Sequence, residues 1–471
     1  MADDLTLLSA RALAQGFRQK SFSAVEVTQA CIARIEKENE ALNIFLEVFD
    51  DALTHAAAAD KRIAEEGEAA PQLAGIPIAL KDNILIKGKQ ATAASKILEG
   101  YVAPYDATVT TRLRGAGAVF LGRVNMDEFA MGTSTEHSAY GPTKNPVDPT
   151  RVPGGTSGGS AAAVAAHFAP IALGTDTGGS VRQPASLCGV YGFKPTYGGI
   201  SRYGLIAMGS SLDQLGILAR SVSDVEETFS VVQGLDARDG TTLPPGPGPA
   251  MGKRVGVPRA FVKDAKPEAV AEFERGIAEL ARQGYDIVDI ELPTAPHALA
   301  AYYIIMPAEL STNLARYDGM RYGLHVEGAT LLDEYIKSKT AGFGAEARRR
   351  IILGTYVLSS GYYDAYYKRA TALRAALVKE FESVFQNVSY IATPTAPGPA
   401  FKLGEKLDPL SLYLEDIFTV SANLTGVPAL SVPFGMVEQE GKQLPVGIQF
   451  MSPKRTETAL FAIARDLMNE R

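Results

Sequence analysis

Hydrophobic positions in the first 65 residues recur at helical spacing. Ser23-Ala-Val-Glu26 has the reach of a capping box, and Val25, Val27, Cys31, Ile32 and Ile35 follow at helical intervals. The charged run 34–40 reads as the solvated face of that helix. An N-terminal helical layer is predicted. From Leu73 the pattern shortens into apolar runs broken by glycine. Residues 76–80, 118–121 and 170–174 read as buried strands. A helix over about 108–114 and a small-residue helix over 160–166 lie among them. Strands alternating with helices predict an α/β core over about 70–235, built on a mixed or mostly parallel sheet.

The run Leu-Pro-Pro-Gly-Pro-Gly-Pro-Ala at 243–250 can hold neither a helix nor a central strand. After it, Arg254-Val-Gly-Val257, a helix over about 268–282 and Ile287-Val-Asp-Ile290 predict a further β-α-β unit. Residues 297–385 read as mainly helical, strands return at 390–392, 429–432 and 446–450, and a helix closes the chain. The late strands can rejoin the first sheet. The chain therefore reads as one domain, with a helical layer (1–65), a core (70–235) and a remainder (251–471). No internal repeat is present.

Composition narrows the classes. With 46% apolar and 21% charged residues among 471, the chain has the balance of a soluble globular protein, not a disordered or fibrous one. A net charge of −7 does not suit a free-standing nucleic-acid binder, so any RNA contact is expected to be local or a partner's. Cys31 and Cys188 are too few for a disulfide framework or a thiolate metal cluster, and no metal site is expected. The acidic start, Met-Ala-Asp-Asp, is unlike a signal peptide. The most apolar stretch, 161–174, is interrupted by His167 and Pro170 and falls short of the ~18 residues of a membrane span. A cytoplasmic location is expected. There is no Walker loop and no dinucleotide fingerprint, and none of the five histidines forms an i,i+4 pair with a glutamate. A zinc hydrolase and a Ser-His-Asp hydrolase are both disfavoured.

Three glycine-framed segments carry chemistry that a bland fold does not need. In Gly75-Ile-Pro-Ile-Ala-Leu-Lys81-Asp-Asn83 an apolar strand runs into a lysine. That amine either reaches solvent or is buried, and burial would lower its pKa until it served as a base near neutral pH. Pro153-Gly-Gly-Thr-Ser-Gly-Gly-Ser160 and Gly174-Thr-Asp-Thr-Gly-Gly-Ser180-Val-Arg182 are glycine turns leading towards helices. Their free N–H groups suit a phosphate or the oxyanion of acyl transfer.

Together these segments resemble the amidase signature family, whose catalytic triad is Ser–cisSer–Lys without histidine. Thr156 and Ser180 stand 24 residues apart, which is the family's spacing. The resemblance spans essentially the whole chain and points to one branch, the amide-hydrolysing subunits of tRNA-dependent amidotransferases. It is carried by Asn125-Met-Asp-Glu-Phe-Ala-Met-Gly132, Tyr140-Gly-Pro-Thr-Lys-Asn145, Arg182-Gln-Pro184, Ser211-Leu-Asp-Gln214, Asn313-Leu-Ala-Arg-Tyr-Asp-Gly319, Gly361-Tyr-Tyr-Asp-Ala-Tyr-Tyr367 and Pro394-Thr-Ala-Pro397. It implies a central mixed sheet of about eleven strands covered by helices on both faces.

The resemblance also implies the roles. Ser180 would be the nucleophile, Lys81 the base, and Thr156 the bridging hydroxyl in a cis peptide. The N–H groups of Thr177, Gly178, Gly179 and Ser180 would form the oxyanion hole. Arg350 would bind the substrate's carboxylate, Asp416 its ammonium, and Tyr302 would add a contact. Arg348, Arg349 and Arg350 are adjacent, so the register of that arginine stays open. Ser157, Asp176 and Arg182 would support the loops, and Cys188 reads as a packed core residue. The chain departs from the family in carrying Thr156 where serine is usual. Threonine keeps the hydroxyl but adds a methyl and a stiffer χ1, so a somewhat slower relay is expected, with Ser157 as the rival bridging group.

The implied activity is glutamine hydrolysis, with ammonia passed to a B subunit that uses ATP and Mg²⁺ to amidate Glu-tRNA(Gln) or Asp-tRNA(Asn). A small C subunit would complete a heterotrimer, and tRNA would be held mainly by the B subunit. The alternatives are a stand-alone amidase of small amides and, because of Thr156, a catalytically silent scaffold subunit.

Overall fold

The computed structural model describes residues 4–246, 248, 251–405 and 408–470. Its first feature follows from the local signals. Ser23 caps the helix Ala24–Leu42, its Oγ accepting from the Glu26 N–H at 3.1 Å while Glu26 Oε2 accepts from the Ser23 N–H at 2.7 Å. A cap of this kind stabilises a helix by ~1 kcal/mol. Val27, Cys31 and Ile35 are buried along that helix. Helices Ala10–Arg18 and Ala52–Glu66 complete the N-terminal layer.

That layer is not wholly helical. Phe45–Val48 forms strand β1, which pairs antiparallel with β3 (Val119–Val124) at the edge of the sheet. Four residues between two helices, with an irregularity in their pairing, give no alternation from which to predict a strand. The strands β2 (Pro77–Lys81) and β4 (Ile171–Asp176) form where predicted, one to two residues further on, and both are wholly buried. The strands β5 (Tyr191–Lys194) and β6 (Gln214–Ala219) are additions to the predicted set. β5 is short with an internal glycine, and β6 is buried throughout.

β7 (Arg254–Val257), the helix Pro267–Arg282 and β8 (Asp286–Asp289) form the expected crossover, with β7 and β8 parallel. Then come β9 (Tyr390–Pro394), β10 (Ala429–Gln439) and β11 (Lys442–Met451). All eleven strands join one mixed sheet in the order β1-β3-β2-β4-β6-β5-β10-β11-β9-β7-β8. β10 pairs with β5, so the late strands do rejoin the first sheet across the proline-rich loop. Positions 247, 249 and 250 of that loop, and residues 1–3 of the acidic start, lie outside the described residues.

Side chains alternate across the sheet, and two core clusters divide them. Tyr390, Ala392 and Phe450 pack into one cluster with the N-terminal helices and the closing helix Glu457–Met468. Ile391 and Met451 pack into the other, with the helices Ala298–Asn313 and Lys368–Val384. Helices thus flank both faces, and the second layer carries the site. No described helix is long and apolar enough to cross a membrane.

Candidate active site

β2 delivers Lys81 to the centre of the molecule. It ends the strand with no solvent exposure. Its Nζ lies 2.7 Å from Thr156 Oγ1, 2.9 Å from Ser157 Oγ and 2.9 Å from Thr175 Oγ1. Burial pulls the amine from 10.5 down to about 7, against the upward pull of the Asp127, Asp176 and Asp213 carboxylates. Of the two readings of Lys81, the structure selects the desolvated one.

Thr156 follows a cis Gly155–Thr156 peptide, at the start of the helix Gly158–Ala165. The loop is held from several sides. Gln183 Oε1 accepts from the Gly155 N–H at 3.0 Å, and Thr135 Oγ1 donates to the Gly154 carbonyl at 2.7 Å. Ser157 Oγ donates to the Thr175 carbonyl at 3.1 Å. Gly155-Thr-Ser-Gly-Gly159 also has the Gly-x-Ser-x-Gly spacing of a nucleophile elbow. Ser157 is fully buried and faces Lys81 and Thr175, and no described histidine side chain hydrogen-bonds to it or to Ser180.

β4 ends at Asp176 and turns into the nucleophile loop. Asp176 and Arg182 form a fully buried pair at 2.8 Å. Arg182 also donates to the Thr419 carbonyl at 3.0 Å and to Asn423 Oδ1 at 2.6 Å. Burial alone would raise the Asp176 pKa, but the Arg182 guanidinium holds it at about 2. The pair thus fixes the loop from below, the supporting place expected of both residues. Ser180 is 8% exposed, and its Oγ makes no hydrogen bond to a described residue. The Ser157 N–H donates to the Ser180 carbonyl at 3.0 Å, which sets the relay loop and the nucleophile loop side by side.

One expectation of the oxyanion hole is corrected. The Gly179 N–H is donated to Asp176 Oδ1 at 3.0 Å, so it is not free. The N–H groups of Thr177, Gly178 and Ser180 remain for a substrate oxygen. The Thr177 hydroxyl is held by Asp213 at 2.7 Å. Gly179 has φ +140°, and a Cβ there would stand 2.2 Å from Thr419 Oγ1, so only glycine fits.

Tyr302, Arg350 and Asp416 lie close together, buried beside this loop. A Cβ on Gly178 would lie 2.6 Å from Tyr302 Cζ, which places that ring directly against the nucleophile loop. Arg348 and Arg349 are exposed whereas Arg350 is buried, so of the three only Arg350 joins this buried group. Its guanidinium lies 5.3 Å from the Tyr303 ring centroid and 5.1 Å from that of Tyr413, and Glu346 Oε1 accepts from its Nε at 2.7 Å. Nη2 is buried without a partner among the described residues. Asp416 Oδ2 accepts from the Tyr303 hydroxyl at 3.1 Å. Burial raises the Asp416 pKa well above the usual carboxylate range, with Tyr303 and Arg350 opposing. Thr419, three residues on, donates to the Gly178 carbonyl at 2.6 Å and ties this group to the nucleophile loop.

Sequence reasoning missed Thr175, Tyr303, Glu346, Tyr413, Thr419 and Asn423. Of these, only Glu346 had an accessible signal, its i,i+4 spacing to Arg350. Cys188 is packed as expected, its Sγ 3.3 Å from the Pro153 carbonyl and its thiol pKa pushed up by burial.

A desolvated amine facing several hydroxyls, near a serine in a glycine turn, is the arrangement that histidine-free acyl transfer would use. The fold and this arrangement are those of the amide-hydrolase class. The amidase family model matches residues 26–461, and the chain belongs to that family. It is 50% identical over 471 residues to the A subunit of glutamyl-tRNA(Gln) amidotransferase from Chloroflexus aurantiacus, covering 98% of this chain and 95% of that one. It is 48% identical to the protein of the same name from Anaeromyxobacter dehalogenans, covering 100% and 97%. Among solved structures, the A subunit of glutamyl-tRNA(Gln) amidotransferase from Thermotoga maritima superposes with a TM-score of 0.82 at 38% identity, covering 100% and 96%. The native peptide amidase of Stenotrophomonas maltophilia gives 0.82 at 30%, covering 98% and 96%.

Proposed function

We propose that this chain is the glutamine-hydrolysing subunit of a tRNA-dependent amidotransferase. The observation that carries the reading is Arg350: a buried guanidinium with an unpartnered Nη2 among the described residues, across Tyr303 from Asp416, with the neighbouring Tyr302 against Gly178 of the nucleophile loop. A free amino acid presents a carboxylate to the first and an ammonium to the second. A simple amide offers neither and would leave Nη2 unsatisfied. The relatives named as A subunits of glutamyl-tRNA(Gln) amidotransferase favour an amide-transfer role.

In the reaction, Ser180 Oγ attacks the side-chain carboxamide carbon of glutamine. Its proton passes through the Thr156 hydroxyl to neutral Lys81, and the oxyanion takes the N–H groups of Thr177, Gly178 and Ser180. Collapse breaks the C–N bond. The proton returns from Lys81 through Thr156 to the leaving nitrogen, ammonia departs, and a γ-glutamyl ester remains on Ser180. Water, deprotonated along the same route, cleaves the ester to glutamate. The substrate's ammonium would offset the desolvation that raises the Asp416 pKa and so favour its charged form.

Ammonia would then go to a B subunit that binds ATP and Mg²⁺ and holds the misacylated tRNA, with a C subunit completing the heterotrimer. The test is ammonia release from glutamine by the purified chain, with and without those subunits, ATP and Glu-tRNA(Gln). Stimulation by the full set, abolished by Ser180→Ala, is expected. Rapid hydrolysis of many simple amides by the chain alone, indifferent to partners, would establish a stand-alone amidase instead.

A further inference from the structure

The segment 125–132 places two acidic residues side by side, and each holds a different half of the site. Asp127 is fully buried, and its carboxylate accepts from the Thr135 N–H at 2.8 Å and the His137 N–H at 3.0 Å. Thr135 then holds the relay loop, donating to the Gly154 carbonyl and accepting from the Gly158 N–H at 3.1 Å. Asp127 also abuts that loop directly, because a Cβ on Gly155 would lie 2.3 Å from its Oδ2.

Glu128, the next residue, points to the other half. Its two oxygens accept from the Gly344 N–H at 3.1 and 2.9 Å, and it takes a short hydrogen bond from Ser95 Oγ. Gly344 is the N-cap of the helix Ala345–Leu358, which carries Glu346 and Arg350 in its first two turns. Gly344 has no capping side chain of its own, and Glu128, from a distant part of the chain, instead holds the N–H of this N-cap residue. The approach is close: a Cβ on Gly344 would stand 2.5 Å from Glu128 Oε2. Ser95 Oγ also donates to the Gly342 carbonyl at 3.2 Å, and the Phe129 and Phe343 rings pack at 5.7 Å. The start of the arginine helix is therefore fixed by hydrogen bonds and by packing to one segment.

We propose that Glu128 is a positioning residue for glutamine: it sets the start of the Arg350 helix against the segment that braces the relay loop. The distance between the carboxylate receptor and the acyl-transfer centre is thereby fixed through two consecutive residues. A carboxylate at a helix N-terminus also complements the helix dipole, which adds to the hold. The inference rests on the glutaminase reading and deepens it.

The test measures kcat and KM for glutamine in the full chain assembled with its partner subunits. Glu128→Ala is expected to raise KM roughly 10- to 100-fold, the scale of an ångström-sized misplacement, with kcat within about twofold. Glu128→Gln keeps an acceptor for the Gly344 N–H and is expected to bring KM back to within roughly threefold of wild type. In an Arg350→Ala background Glu128→Ala should cost nothing further, because the two act through one contact. A fall in kcat at unchanged KM, or an equal loss in the Arg350→Ala background, overturns the proposal. If Glu128→Ala does not fold, Gly344→Ala decides by the same criteria, since its Cβ would push the helix off the carboxylate. Wild-type enzyme that cleaves simple amides but not glutamine would sink the glutaminase reading and this proposal with it. Wild-type glutamine turnover with an unmoved KM in the variant sinks this proposal alone.

Discussion

Removing the Lys81 amine tests the central premise, that burial makes this lysine a base. With a pKa of about 7 in place of 10.5, roughly half of the amines are neutral at pH 7, against about three in ten thousand for an ordinary lysine. Burial therefore supplies on the order of 10³-fold more of the reactive form. The neutral amine is the working species, so kcat/KM should rise with pH through about 7 and level off above it. Lys81→Met should lower kcat by roughly 10²- to 10⁴-fold and abolish that limb. Folding stability carries the same signature. Between the native and unfolded pKa values the unfolded chain binds more protons, so stability rises with pH from about 7 towards 10.5 and falls below. Relative to Lys81→Met, wild type should gain roughly 2 to 3 kcal/mol between pH 7 and pH 9 by denaturant titration. The hydroxyls stranded by the substitution cost the same at every pH and drop out of that comparison. A flat pH–rate profile, or a limb centred above pH 9, would refute the reasoning.

Three further outcomes follow from the geometry. Thr156→Ala should lower kcat by roughly 10²-fold or more while Thr156→Ser preserves it, and full activity in Thr156→Ala, measured as ammonia release, would move the relay elsewhere. Gly179→Ala places a Cβ 2.2 Å from Thr419 Oγ1 at φ +140°, so acylation of Ser180 by a fluorophosphonate should be lost even if the chain stays folded by circular dichroism. Asp176→Asn should cost about 3–5 kcal/mol in urea unfolding, because it leaves the Arg182 guanidinium buried without its carboxylate. The Asp176 pKa is held at about 2 against 3.8, so the wild-type stability it contributes is present above 3.8 and lost as pH falls through about 2. That loss, roughly 2 kcal/mol, should be absent in the variant.

The parts of the site that could be read in the sequence are those the chain encodes locally. Lys81, Thr156 and Ser180 each sit at a strand end or in a glycine turn whose composition has few other uses, and their spacing joined them. Arg350 could be narrowed only to three consecutive arginines, because burial decides among them and burial is tertiary. Tyr303, Tyr413, Thr419 and Asn423 come from segments more than a hundred residues beyond the triad and meet it only in space. The Gly179 N–H is beyond the reach of sequence because a glycine turn shows that N–H groups are free to turn, not which of them a neighbouring carboxylate has taken. In the fold, strands β5 and β6 escape prediction because each is short, broken by an internal glycine and has a polar residue at one end, Lys194 or Gln214, so neither shows an unbroken apolar run.

Whether threonine can serve where the family uses serine comes down to counting protons. A neutral lysine amine has two hydrogens and one lone pair, and Lys81 faces three hydroxyl oxygens. At most two of these can accept from it, the Thr175 carbonyl at 3.4 Å competing for the same hydrogens, so at least one hydroxyl must donate to it. Ser157 has given its proton to the Thr175 carbonyl, so towards Lys81 it can only accept. Thr175 Oγ1 already accepts from Asn83 Nδ2 at 3.1 Å, and its residue lies on β4 with its backbone bonded to Ser157 Oγ. Thr156 Oγ1 has no partner besides Lys81 among the described residues. Its proton is therefore free to move towards the amine while its oxygen receives another. The position asks for a hydroxyl with an uncommitted proton, and threonine meets that demand as serine does. By the same count Ser157 cannot take its place unless its bond to the Thr175 carbonyl breaks.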